Sequence, residues 1–146
     1  MKNYKKYMRL QENEEIIKTV EGDAYNTSAN PILRMIGFIV RIISICFGLR
    51  RKIHIIITNK RVVLIKFDKF LWVFDSGISV LGMTPRSIHT IGYGMVRSLL
   101  IFKTNYFILK TSSENIMLKF VGKKDALYDA VVDVNTVLEQ IKSQDV

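Results

Sequence analysis

The chain has 146 residues, enough for one domain with a real core, and at 49% apolar and 24% charged residues it is not a disordered chain. Its one cysteine, Cys46, excludes an intramolecular disulfide framework and is expected as a small buried hydrophobe, which favours a reducing, cytoplasmic setting. The formal charge of +9 is uneven: residues 1–69 hold 14 Lys/Arg against 6 Asp/Glu, and residues 70–146 hold 8 against 7. That asymmetry points to anionic lipid or nucleic acid as partner, with plain solubility as the simple alternative.

Residues 1–12 are polar and basic and are expected to be flexible. The start, MKNYKKYMRLQENEE, turns from basic to acidic without an apolar stretch, so it does not read as a signal peptide. EEIIKTVEG (14–22) is a short strand. DAYNTSANP (23–31), dense in Asn, Ser and Thr and closed by Pro, is a loop. Asn30 as N-cap with Pro31 at the first helical position then starts a helix. It should run to about Gly48 within an apolar segment spanning 30–49, and Arg50, Arg51 and Lys52 follow where cations suit a helix C-terminus.

From residue 52 the pattern becomes β-branched. KIHIIITNKRVVLIKF is a hairpin around Thr58–Arg61, with Asn59 suited to a tight turn. Further strands are expected at 71–75, 78–83, 87–93, 98–103, 106–111 and 115–121, punctuated by glycines that suggest bulges or bends. KKDALYDAVVDVNTVLEQIKS closes the chain as a helix over 123–142, with Leu127, Ala130, Val131, Val134, Val137, Leu138 and Ile141 on one stripe. Asp125, Asp129 and Asp133 share a face and read as a solvated acidic stripe, not a metal site. One strand, a helix, six or seven strands and a last helix make a single domain over 1–146, mainly β with α, in which an antiparallel barrel or sandwich is covered by the final helix.

Four stretches carry a family resemblance: ENEEIIKTVEG, IHIIITNKRVVLI, MTPRSIHTIGYG and IMLKFVGKKDALYDAVVDVNTVLEQI. Together they resemble the bacterial pleckstrin-homology-like (PH-like) domains, relatives of the GRAM domains, over roughly 14–22 and 52–142. ITNKRVVLI, with Thr58 and Arg61 at its turn, resembles the hairpin between the family's second and third strands. The resemblance implies a bent antiparallel barrel of about seven strands with a C-terminal capping helix. It also implies that the apolar helix is an addition between strands 1 and 2, where eukaryotic relatives often place basic residues that meet lipid headgroups.

That helix is the main functional clue. Of the eighteen residues between Pro31 and Arg50, thirteen are Ile, Leu, Met, Phe, Val or Cys. Asn30, Arg34, Gly37, Arg41, Ser44 and Gly48 fall within about 80° on a helical wheel, so the polar stripe is thin. Three readings are open. A membrane span is nearly balanced in energy, but one crossing would separate strands 1 and 2. Burial within the monomer would leave one apolar face uncovered. An interfacial helix would lie on a membrane or a sister subunit, with its arginines reaching headgroups. The interfacial reading assigns Arg34, Arg41, Arg50, Arg51 and Lys52 as electrostatic contacts and Ile36, Phe38, Ile39, Ile43 and Phe47 as apolar anchors.

No nucleophile–base pattern, glycine-rich phosphate loop or Cys/His metal spacing is present. His54 and His89 sit in predicted strands and read as surface residues. Nucleic-acid binding through Lys2, Tyr4, Lys5, Lys6, Tyr7 and Arg9 is the weaker reading of the charge. The expectation is a non-enzymatic binding or scaffolding domain, without cofactor, metal or small-molecule substrate. It would be peripheral at the inner face of the cytoplasmic membrane or self-associated, with a soluble interaction or oligomerisation module as the alternative.

Overall fold

A computed structural model describes residues 6–25, 30–71, 74–98, 102–112, 114–120 and 123–144. In chain order it contains β1 (Ile16–Ala24), α1 (Pro31–Cys46), β2 (Arg50–Thr58), β3 (Val62–Phe70), β4 (Phe74–Met83), a 3-10 turn (Pro85–Ser87), β5 (Ile88–Ser98), β6 (Phe102–Thr111), β7 (Asn115–Phe120) and α2 (Lys124–Gln144). The two strands expected over 71–83 are one. Of the expected strand 98–103, residues 99–101 lie outside the described residues.

All pairings are antiparallel, in the order β4-β3-β2-β1-β7-β6-β5. β4 and β5 are therefore free ends, and the ladder does not close into the expected barrel among the described residues. The two halves of the sheet are joined narrowly: β1 pairs with β2 from Ile16 to Asp23 but with β7 only through Asp23 and Ala24. Both halves nevertheless contribute to one core. Val20, Ile55, Ile57, Leu64, Phe107, Leu109 and Leu118 meet the α2 side chains Leu127, Val134, Leu138 and Ile141 there. The last four are at most 3% exposed. Their spacing is the helical stripe that the sequence predicts.

The β2–β3 hairpin is apolar on both faces, so its other face also needs cover. Ile56, Val63, Ile65 and Phe67 form a second cluster there with Met8, which is 7% exposed. Tyr7 packs edge-on against Phe67, with ring centroids 5.5 Å apart. Part of the segment expected to be flexible thus lies on the sheet; residues 1–5 lie outside the described residues. His54, expected on the surface, is only 7% exposed and packs edge-on against Phe67. Burial lowers its pKa, Lys52 adds to the effect, and Glu21, 3.3 Å away, opposes it.

A buried ionic clamp fastens the N-terminal segment. The Glu14 carboxylate accepts from Arg61 Nε (2.8 Å) and Nη2 (3.0 Å), from Thr58 Oγ1 (2.8 Å) and from the Gln11 backbone N–H (2.7 Å). Arg61 also donates to the Arg9 carbonyl at 2.9 Å. The Arg61 hydrogen bond is the main reason that the Glu14 pKa falls to about 2; the Gln11 and Thr58 donors assist it against the cost of burial.

Candidate functional site

The site is built around α1. The Asn30 side chain accepts from the Ile32 N–H at 2.9 Å, and Pro31 occupies the start, as the sequence predicts. The helix ends at Cys46, two residues before the expected stop. Gly48 then takes φ +69°, and a Cβ there would stand 2.5 Å from the Leu71 Cα. Only glycine suits that reversal, which leads directly into β2 and sets the end of α1 beside the β3–β4 connection.

α1 lies against the sheet through a narrow line. Among its residues with described side chains, only Phe38, Arg41 and Ser44 are half-buried. The Arg41 guanidinium sits 5.2 Å from the centroid of the Tyr25 ring, which itself stacks on Tyr106 at 5.4 Å. Tyr106 occupies the space where Gly94 has no side chain. The polar stripe therefore faces the protein at Arg41 and Ser44, contrary to the expectation that Arg41 reaches out to headgroups. Ser44 donates to the Val40 carbonyl at 2.8 Å within the helix.

The apolar arc faces outward. Ile32, Leu33, Met35, Ile36, Ile39, Val40, Ile42, Ile43, Ile45 and Phe47 are between 47% and 65% exposed. Cys46 is exposed as well, not buried as the sequence suggested. The helix does not serve the monomer core, so that reading of the segment is corrected. The anchors Ile36, Ile39, Ile43 and Phe47 are all on this surface, while Phe38 turns toward the sheet. The Arg34 side chain lies outside the described residues. Among the described residues no helix is long and apolar enough to cross a membrane. Sixteen residues span about 24 Å, short of a hydrocarbon core of roughly 30 Å. The pairing of β1 with β2 also holds both ends of α1 on one side.

Arg50, Arg51 and Lys52 lie in β2, past the helix terminus that they were expected to complement. Arg50 makes a two-pronged pair with Asp23 at 2.8 and 2.7 Å, and Arg51 makes another with Asp68. These hydrogen bonds hold both guanidinium pKa values above the usual arginine value. Both arginines, expected as electrostatic contacts, remain partly exposed, and a carboxylate matches the charge of each. Between α1 and the sheet is a cleft of about 360 Å³ lined by Asp23, Ala24, Arg41, Ser44, Ile45, Leu49, Arg50, Arg51 and Lys119. Four cations face one carboxylate in it, and Asp68 holds Arg51 from outside, which leaves an excess of two positive charges. An anion is the chemistry this lining favours.

Sequence reasoning missed Asp23, Asp68, Tyr25 and Lys119. The hairpin register carried part of the signal, because Asp23 falls opposite Lys52 and Asp68 opposite Arg51. Lys119 and Tyr106 come from strands sixty or more residues beyond α1, and no local pattern announces them. His89, on the surface as expected, pairs with Ser112 Oγ at 2.8 Å. Asp133 binds Lys18 at 2.7 Å, while Asp125 and Asp129 remain exposed. No group of His, Cys, Asp and Glu suited to a metal occurs among the described residues. No family model, curated protein or solved structure matches the chain.

Proposed function

We propose that this chain is a non-enzymatic attachment domain that docks on an anionic membrane surface with α1 lying in the interfacial plane. The observation that carries the reading is the outward apolar arc of α1 beside a cleft with excess positive charge. A helix of this length that is apolar over most of its circumference gains by entering the boundary between headgroups and acyl chains. The cationic cleft beside it adds attraction to acidic lipids, about 1 kcal/mol for each cation near the surface. A purely apolar partner would not use that charge. The PH-like reading adds the expectation of a bent sheet whose first connection meets lipid. The strand order, the narrow β1–β7 joint and the closing helix α2 are its structural support.

The test is co-sedimentation with vesicles of phosphatidylcholine alone and with added phosphatidylglycerol, at low and high salt. Binding should require the anionic lipid and weaken with salt. Ile39→Glu with Ile43→Glu should abolish it, and Lys119→Gln should weaken it about fivefold, since it removes one cation of the cleft. Wild-type protein that stays in the supernatant with acidic vesicles at low salt would refute the proposal. Lipid-free self-association lost in the Ile39/Ile43 variant would assign the arc to a sister subunit.

A further inference from the structure

Among the described residues a second surface lacks cover, far along the sheet from the β1–β7 joint. β4 is an end strand and pairs only with β3 among the described residues. Natural end strands are usually shortened or protected by charge or proline. β4 runs ten residues, and from Ser76 to Met83 it has neither a charge nor a proline. Ile78 is 40% exposed, Val80 45% and Leu81 41%.

These side chains continue existing clusters. Ile78 stands opposite Phe67 and Val80 opposite Ile65, both in the second cluster; Leu81 stands opposite Leu64 of the main core. Each face of the sheet therefore stays apolar out to the last strand and stops there for want of a neighbour. What fits is another β-strand, which supplies hydrogen-bonding partners and apolar side chains on both faces together.

The strand's own sequence names that neighbour. An antiparallel copy centred on Ser79 brings Ile78 opposite the second copy's Val80, and Val80 opposite its Ile78. On the other face Ser79 meets Ser79, and Leu81 lies over Gly77, where a large side chain has room. Shifting the centre to Val80 would instead set Ile78 against Gly82 and Ser79 against Leu81. The two-fold register at Ser79 is self-complementary, as an isologous contact requires. Like-charge repulsion is small there because 76–83 carries no charge. We propose that two copies of this chain pair through β4, antiparallel about a two-fold axis at Ser79, into one continuous sheet. One strand pair covers less than the roughly 800 Å² per partner of a typical stable interface, so the dimer is concentration-dependent.

Sedimentation velocity without lipid, over a range of protein concentrations, tests this. The mass should rise toward two chains, and Ile78→Lys with Val80→Lys should hold the protein monomeric with unchanged circular dichroism. In a Cys46→Ser background, a short bis-maleimide should join Ser79→Cys chains about tenfold faster than chains carrying Ser143→Cys on exposed α2. A wild type that is monomeric throughout, or equal rates for the two cysteine positions, would overturn the proposal. So would association that survives the paired lysines and disappears in Ile39→Glu/Ile43→Glu, because the contact would then belong to α1. None of these measurements uses vesicles, so they stand or fall separately from membrane docking.

Discussion

The two helices of this protein are opposites. α1 is the more apolar and the less buried: nine of its large apolar residues and the adjoining Phe47 line a surface that is about half open. α2 carries acidic residues at 125, 129 and 133, yet Leu127, Val134, Leu138 and Ile141 are almost completely enclosed. Apolar content therefore does not decide burial. The deciding factor is whether the apolar residues share one stripe that a complementary surface can meet. α2 presents such a stripe to both halves of the sheet. α1 turns Arg41 and Ser44 of its thin polar line to the protein and keeps a wide apolar arc away from it.

The largest test of this contrast is loss of side-chain volume in α2. Leu138→Ala removes a side chain that is 1% exposed and leaves a cavity where α2 meets the strands. It should cost about 3 kcal/mol in urea unfolding, with little change in the denaturant slope. If the loss were below about 1 kcal/mol, α2 would not be the helix that completes the core.

The same contrast explains what could be read in the sequence. α2, the β2–β3 hairpin and the cap at Asn30 are local patterns: a 3.6-residue stripe, paired β-branched runs and a side chain beside its own helix. All were legible. The orientation of α1 was not, because it depends on Arg41 meeting Tyr25, which is itself stacked on Tyr106. A wheel finds the polar stripe but does not tell whether it points to water or to an aromatic stack. The matching of Arg50 and Arg51 by Asp23 and Asp68 was hidden for a similar reason, since charge counting treats each cation alone. Gly48 looked like a simple helix stop. The close approach of Leu71, twenty-three positions later, makes it also a packing requirement.

A polar attachment can be strong where it is enclosed, and the N-terminal clamp gives the second test. Glu14 is 5% exposed and takes four hydrogen bonds, whereas α1 is held by an open cation–ring contact. Glu14→Gln keeps the shape but removes the charge, and should cost about 2 kcal/mol. The pH profile should separate charge from shape. The carboxylate's pKa is lowered on folding from 4.5 to about 2, so its contribution is complete above about 4.5 and fades as pH falls toward 2. Wild type should lose its advantage over Glu14→Gln across that interval in urea titrations. A constant difference between the two proteins from neutral pH down to pH 2 would mean that packing, not charge, makes the clamp.

The smallest expected effect is the most pointed comparison with Leu138. Ile39 and Ile43 are 49% and 50% exposed on the arc of α1. Replacing both with serine removes more hydrocarbon than Leu138→Ala does. Apolar area that stays in water when the chain folds contributes little to the folding equilibrium. The helix-forming preference falls only slightly with Ile→Ser. Ile39→Ser/Ile43→Ser should therefore shift unfolding free energy by less than about 0.5 kcal/mol for each position in lipid-free buffer. Urea titration beside Leu138→Ala provides the direct measurement. A loss comparable to that of Leu138→Ala would mean that the arc is covered in the free monomer. A near-neutral result would instead mean that these isoleucines do not serve folding, and that the stability they supply appears only when something outside the monomer covers them.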